Sequence, residues 1–364
     1  MSLKAIIKLT QNSGFDLEVD ISIPSHGYTA IYGPSGSGKT TLLRCIAGLD
    51  SSEAGSVIQF KQQHWQRGEN ITPCHKRGIG FVFQDARLMP HLNVTGNLKY
   101  ALKRRHSNTG PDWEHVCQWL DLFPLLNKAS SELSAGQQQR VAIGRALLGS
   151  PQLLIMDEPL ASLDQASKGQ VLNYLETLHT HLDIPVLYVS HDLSEVTQLA
   201  DQLVVLDQGK VSAQGTTLDL CSQLQLGLAH EEQAAAIMAG TVISHDNNYQ
   251  LSEINIGGQS LTLSRVDMAP GDNIRVRIPA RDVSIALQQP ENSSILNIIP
   301  CRIDSIEPSA DSRVLVRLQT GTQFFLSRLT RKSIDRLQLS INDNVYAQIK
   351  SVALLTDRPT EHHD

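Results

Sequence analysis

Gly33-Pro34-Ser35-Gly36-Ser37-Gly38-Lys39-Thr40 spells G-x-x-x-x-G-K-[ST] between an apolar strand-like run and an amphipathic helical pattern. Upstream, Tyr28-Thr29-Ala30-Ile31-Tyr32 ends at Gly33; downstream, Leu42, Leu43, Ile46 and Leu49 recur at helical spacing. Glycines let a loop wrap closely, so that its backbone N–H groups converge on phosphate oxygens. Lys39 adds a point charge for the β- and γ-phosphates, and Thr40 a hydroxyl for Mg²⁺. The helix start running on through Thr41 supplies a favourable field for an anion. A Gly/Ser-rich surface turn would account for the composition of the loop, but not for the strand and helix on either side.

A second segment fits the first. Leu153-Leu154-Ile155-Met156-Asp157-Glu158 is an apolar strand ending in two carboxylates. Asp157, delivered beside the phosphate loop, can hold Mg²⁺, and Glu158 can orient or deprotonate an attacking water. Alone, an acidic strand end says little; together with Lys39 it points to nucleotide hydrolysis.

The whole chain sets bounds. At 364 residues, with 41% hydrophobic and 19% charged residues, two or three soluble globular domains are expected. A net charge of −6 argues against nucleic acid as the main partner. No apolar run approaches the roughly 20 residues that span a bilayer, and residues 1–10 alternate like a strand rather than a signal peptide. The five cysteines are scattered without a C-x-x-C pair, which suits a reduced compartment. The 13 histidines are expected on the surface rather than on a metal.

Phe81-Val82-Phe83, residues 153–156 and Val186-Leu187-Tyr188-Val189 read as buried strands separated by helical patterns, an α/β domain with a largely parallel sheet. Leu203-Val204-Val205-Leu206 turns at Asp207-Gln208-Gly209 into Lys210-Val211, a hairpin signal. After about Ala239 short alternating stretches take over, such as Arg275-Val276-Arg277-Ile278, and a small β-barrel is expected. Residues 288–292 read as a linker and 356–364 as a polar, frayed tail.

Leu133-Ser134-Ala135-Gly136-Gln137, continued by Gln138-Gln139-Arg140-Val141-Ala142, resembles the L-S-G-G-Q signature of the ATP-binding-cassette ATPases. Ser134 and Gln137 also have capping-box spacing, and a capped helix start can still present an anion site. The resemblance implies that Ser134, Gly136 and Gln137 meet the γ-phosphate held by a second copy of the chain. It also implies roles for Gln84 as a sensor of Mg²⁺ and water, for Asp164 in a loop crossing between subunits, and for His191 as a switch on the γ-phosphate. Phe15 stands where the family often stacks an aromatic on adenine, though a core Phe fits equally. Residues 86–92 stand where the family meets a membrane permease. Ala135 replaces the usual Gly, at little cost if its φ is negative.

Nearly the whole chain resembles the ATPase subunits of molybdate importers, and its end resembles their Mop-type oxyanion module. The fold implied is an α/β P-loop NTPase cassette followed by a β-rich small-barrel (Mop/OB-like) regulatory domain. The boundaries expected are 1–239 for the cassette, 240–290 for a β-rich connection, 291–356 for the oxyanion module and 357–364 for the tail. ATP and Mg²⁺ are the implied cofactors. The implied partners are a second copy, permease subunits and, indirectly, a periplasmic or extracellular molybdate-binding protein, which places the chain at the cytoplasmic face of the cell membrane. Ser293, Ser294, Asn297, Lys350 and Ser351 carry groups suited to a tetrahedral dianion and are candidates for an effector site; a purely structural barrel that aids dimerisation is the alternative. Other readings are an importer for another oxyanion such as sulfate, a nucleotide-gated oxyanion sensor, and a soluble cassette acting on ribosomes or DNA. The last lacks the second cassette or basic insertions it would need.

Overall fold

A computed structural model describes residues 2–10, 14–105, 107, 109–224, 226–308, 312–350 and 352–355. The chain divides into two compact units, Met1–Gly215 and Thr216–Asp364.

The first unit is built on an eleven-stranded sheet. Its strands are β1 (Leu3–Thr10), β2 (Asp16–Ile23), β3 (Gly27–Tyr32), β4 (Val57–Phe60), β5 (Gln63–Arg67), β6 (Asn70–Ile71), β7 (Ile79–Val82), β8 (Leu153–Asp157), β9 (Pro185–Ser190), β10 (Gln202–Asp207) and β11 (Lys210–Thr216). They run in the order β6-β5-β4-β1-β2-β11-β10-β3-β9-β8-β7. From β10 through β3, β9 and β8 to β7 every pairing is parallel, whereas β1, β2, β4, β5 and β6 pair antiparallel among themselves and β2 meets β11 in parallel. Composition explains the split. β3, β8 and β9 are buried at every position, as strands covered on both faces must be. β1 and β2 alternate buried and exposed residues, having one covered face.

Helices α1 (Lys39–Ala47), α2 (Val94–Leu102), α3 (Trp113–Trp119), α4 (Ala135–Leu148), α5 (Gln165–His181) and α6 (Leu193–Leu199) complete this unit. Two apolar cores result. One lies under α1 and gathers Ile31, Leu42, Ile46, Ile155 and Val189; the other lies against α2 to α5 and gathers Leu98, Ile143, Met156 and Leu175. The three apolar runs foreseen as strands fall on β7, β8 and β9, side by side, with Phe83 just past the end of β7. The hairpin foreseen after Leu206 is β10–β11, with Gln208 and Gly209 at φ 44° and 78° in its turn. Two positive φ values match the right-handed strand twist in a tight hairpin.

The second unit contains α7 (Thr217–Cys221), β12 (Ala235–Asp246), β13 (Leu251–Ile256), β14 (Gln259–Ser264), β15 (Asn273–Pro279), β16 (Val283–Ala286), β17 (Asn297–Pro308), β18 (Arg313–Thr320), β19 (Gln323–Thr330), α8 (Arg331–Leu337), β20 (Asn344–Ile349) and β21 (Ala353–Leu355). They form two five-stranded sheets, β14-β13-β12-β15-β21 and β16-β20-β17-β18-β19. In the second sheet Ser327 Oγ donates to the Val283 carbonyl at 2.7 Å, joining its two edge strands and rolling it towards a small barrel. Both sheets share one core that includes Met238, Ile254, Val276, Ile299, Val316 and Phe325. The boundary expected at 239/240 lies inside β12, whose hydrogen bonds to β15 run from Ala235 to Thr241. The cut expected at 290/291 passes between β16 and β17, both of which pair with β20. Residues 356–364, expected as a frayed tail, lie outside the described residues.

Candidate active site

The phosphate loop leaves β3 at Gly33, where a Cβ would stand 2.1 Å from the Leu206 carbonyl oxygen. Gly36 and Gly38 take φ of 81° and 100°, which side-chain-bearing residues rarely adopt. Gly38 is the N-cap of α1 and makes no side-chain cap bond, so the first N–H groups of the helix are left for an anion. Lys39 is buried, and its Nζ donates to the carbonyls of Gly33 (2.8 Å) and Pro34 (2.9 Å). Burial pushes the Lys39 ammonium below its ordinary range, with Glu158 and Asp157 pulling it back. The loop is braced from outside any motif: the Gly209 N–H donates to the Ser37 carbonyl at 3.1 Å, and the Gly209 carbonyl accepts from the Glu18 N–H at 2.8 Å.

β8 brings its two carboxylates to this loop. Thr40 Oγ1 donates to Asp157 Oδ1 at 3.0 Å. Burial holds the Asp157 carboxyl above its ordinary range; the Thr40 hydrogen bond opposes this and the Glu158 charge adds to it. Two hard oxygen donors thus meet, a pair that would suit Mg²⁺ beside a bound phosphate. Among the described residues no cluster of three His, Cys, Asp or Glu side chains forms a cage independent of such a ligand. Glu158 has φ 44°, left-handed for a non-glycine residue and costing about 1–3 kcal/mol. Its N–H is fixed on the Val189 carbonyl at 3.1 Å, and Oε2 lies 3.1 Å from His191 Nδ1. The strained turn aims Glu158 into a cleft of ≈ 320 Å³ lined by Phe15, Ser35, Gly36, Lys39, Thr40 and Thr41. Phe15 lies beside Gly38, where a Cβ would stand 2.7 Å from its ring.

The other motif residues surround this centre differently. Gln84 is exposed two residues beyond Val82, as Glu158 is two beyond Met156, and Val82 and Met156 are paired in register. Ser134 and Gln137 form a reciprocal capping box: Gln137 N–H to Ser134 Oγ at 3.3 Å, Ser134 N–H to Gln137 Oε1 at 3.1 Å. Gly136 faces α5, where a Cβ would lie 3.2 Å from the Ser167 Cβ. Ala135 is exposed at the first helical position with negative φ, so no glycine is required there. Asp164 caps α5, accepting from the Ala166 and Ser167 N–H groups and from Ser167 Oγ; these bonds hold its carboxyl below the usual range. The lining of the 320 Å³ cleft includes none of Ser134, Gly136 and Gln137.

In the second unit, Asn297 and Ser293 lie against β20, while Ser294 and Lys350 are exposed. Ser293 Oγ is 3.4 Å from Gln348 Oε1. Asn297 is nearly buried, and its amide is spent on structure: Oδ1 accepts from the Thr262 N–H at 2.7 Å and Nδ2 donates to the Thr262 carbonyl at 2.8 Å. It joins β17 to the edge strand β14. Ser351 lies outside the described residues. The turn residues Asp207-Gln208-Gly209 signal a hairpin, but not the Gly209 brace, because the hairpin glycine and Ser37 are far apart along the chain.

Comparison with known proteins places these features. The ABC transporter family model matches residues 17–161 and the TOBE domain model residues 293–355. The chain is 47% identical over 348 residues to the molybdenum import ATP-binding protein ModC of Hahella chejuensis, and 46% identical over 348 residues to that of Pseudomonas aeruginosa. It is 44% identical over 347 residues to ModC 1 of Azotobacter vinelandii. Each alignment covers 94% of this chain and 96% of the relative. Among solved structures, cbiO1 from Clostridium perfringens, part of the ABC transporter complex cbiONQ, aligns with a TM-score of 0.52 and 25% identity over 61% of this chain and 90% of that one. The ATP-binding cassette MJ0796, a dimer bound to ADP and Pi, aligns with a TM-score of 0.50 and 25% identity over 59% of this chain and 98% of its own.

Proposed function

The chain belongs to the ModC family of molybdenum import ATP-binding proteins, and from that membership we propose that it is the ATP-hydrolysing, energy-coupling subunit of an importer for molybdate or its near-isostere tungstate. The observation that carries the hydrolytic reading is Glu158, strained into the left-handed region at the mouth of the phosphate-loop cleft with His191 against it. In this reading the loop amides of residues 33–40 and Lys39 hold the triphosphate, and α1 adds its N-terminal field. Thr40, Asp157 and Gln84 are the residues that would hold Mg²⁺ and its water. The metal supplies charge neutralisation at the transferring phosphoryl group. Glu158 orients the attacking water in line and accepts its proton, and His191 holds Glu158 in place and meets the γ-phosphate. Phe15 offers a face to adenine.

Ser134, Gly136 and Gln137 then act on the nucleotide of a second copy. Exposure of the helix start at Ser134 and Ala135, and the absence of all three from the cleft of their own chain, support that arrangement. Closing two copies face to face completes each site, which couples hydrolysis to subunit motion. A separate groove of ≈ 400 Å³, lined by Phe81, Phe83 and Tyr100 with Arg87, Arg104 and Arg145, supports docking of a permease segment beside residues 86–92. Arg87 lies 4.1 Å over the Phe83 ring and Arg104 3.8 Å over the Tyr100 ring, so guanidinium and aromatic faces alternate along it. Among the described residues no helix is long and apolar enough to cross a membrane. The permease then holds the chain at the cytoplasmic face, with a molybdate-binding protein on the far side.

Phosphate release by the full-length chain tests this reading. Glu158→Gln is expected to lower turnover at least ~100-fold, the scale of a lost general base, while ATP affinity stays within about threefold of the parent. Turnover retained in Glu158→Gln overturns the assignment. The oxyanion held by the binding protein that copurifies with the permease identifies the cargo.

A further inference from the structure

The most heavily built polar cluster of the first unit lies behind His191. Glu195, 3% exposed, accepts from Tyr188 Oη (2.6 Å) and Ser190 Oγ (2.7 Å) on Oε2, and from Lys168 Nζ (2.6 Å) on Oε1. Lys168 Nζ also reaches Asp192 Oδ2 at 2.5 Å. The other oxygen of Asp192 caps α6 through the Ser194 N–H (2.8 Å) and Ser194 Oγ (2.6 Å), and the Asp192 N–H donates to Ser190 Oγ at 3.0 Å. His191 therefore stands between two residues that are both tied into the cluster, while its own ring is half exposed and meets Glu158. Lys168 belongs to the first turn of α5. Its N–H donates to the carbonyl of Asp164, the residue that caps that helix.

A buried ion cluster is weak evidence for stability, because desolvation offsets much of its attraction. Its placement is more informative, since it joins two segments that end at the same carboxylate. Residues 158–164 run from Glu158 to the α5 cap, and residues 190–192 carry His191. We infer that Lys168 is a positioning residue that locks the His191 segment to the start of α5, so that movement of the 158–164 loop is transmitted to the His191–Glu158 contact. This inference rests on the ATPase reading above. Asp192 and Glu195 take no part in holding nucleotide; they are the anchors through which Lys168 acts.

Single-turnover phosphate release and equilibrium ATP binding by the full-length chain test it. K168M/E195Q removes the Lys168–Glu195 pair and leaves Asp192 with its bonds from the Ser194 N–H and Oγ. It is expected to lower the rate about tenfold, about 1.4 kcal/mol of barrier, with ATP affinity within twofold and K168R keeping at least a third of the parent rate. Because Lys168 acts through His191, the same pair of changes placed in H191A is expected to cost less than twofold more. A rate within twofold of the parent overturns the inference, as does a full tenfold loss repeated in H191A. Should K168M/E195Q not unfold cooperatively, D192N, which keeps the α6 cap and removes one anchor, carries the same comparison with about a threefold loss. Parent turnover and its loss in Glu158→Gln are read separately, so failure of the ATPase reading is distinguished from failure of this one.

Discussion

Three glycines of the first unit separate backbone strain from steric exclusion, and together they test how the hairpin turn braces the phosphate loop. Gly14 has φ 82° with nothing within 4 Å of a built Cβ; Gly33 needs no positive φ, but a Cβ would stand 2.1 Å from the Leu206 oxygen. Gly209 combines both, with φ 78° and a Cβ 1.9 Å from the Asp16 oxygen. A left-handed alanine costs about 1–2 kcal/mol, of which the loss of glycine's unfolded freedom returns a part, so Gly14→Ala should cost about 1 kcal/mol. Gly33→Ala must move rigid sheet backbone by about an ångström, an overpacking cost of about 1–3 kcal/mol. Gly209→Ala carries both and should cost about 2–4 kcal/mol, moving a urea midpoint by about 1 M. Trp65, Trp113 and Trp119, the three tryptophans of the chain, all lie in this unit, so their fluorescence reports its unfolding. Loss of the Gly209–Ser37 hydrogen bond, worth about 1 kcal/mol, should also weaken ATP about fivefold. A Gly33→Ala midpoint equal to the parent's, or a Gly209→Ala loss no larger than that of Gly14→Ala, would refute this account.

Asp157→Asn tests the buried carboxylate. Because burial raises its folded pKa, the ionised form costs stability; that cost is absent below the unfolded pKa and is felt in full once pH has risen through the folded value. The variant should therefore melt higher than the parent at neutral pH without nucleotide, converge with it below about pH 4, and bind ATP without a response to Mg²⁺. Asn297→Leu leaves the Thr262 N–H and carbonyl unpaired on an edge strand; it should cost about 2–4 kcal/mol by circular dichroism and speed exchange of the Thr262 amide, with ATP turnover unchanged. Arg77, 2% exposed, donates to the carbonyls of Cys45 and Ile46 at the end of α1 and to that of Thr72. Arg77→Met should destabilise the first unit by about 2–4 kcal/mol, read as a lower urea midpoint. Deleting residues 290–364 should destabilise what remains of the second unit. Ile285 and Val283 share a core with Ile299 and Ala347, so the cut would expose the interior of the remaining strands.

Neighbouring residues were enough to read the phosphate loop, the apolar strands β7 to β9, the capping box at Ser134 and the carboxylates ending β8. Each rests on physics that acts within one element: a period of burial, a left-handed glycine, a cap three residues from its partner. Spent polar groups were not legible. Asn297 offers the same amide whether it faces a dianion or the backbone of Thr262, 35 residues away. Lys168 reads as an ordinary helix surface lysine until α6 brings Glu195 beside it. Local sequence pattern thus sufficed for a phosphate loop at residues 33–40 and a carboxylate-ended strand to go with it. Tertiary structure alone decided which donors and acceptors remain available and which glycines carry the loop, because hydrogen bonds and steric contacts between distant segments are set by sheet register, which a linear pattern does not encode.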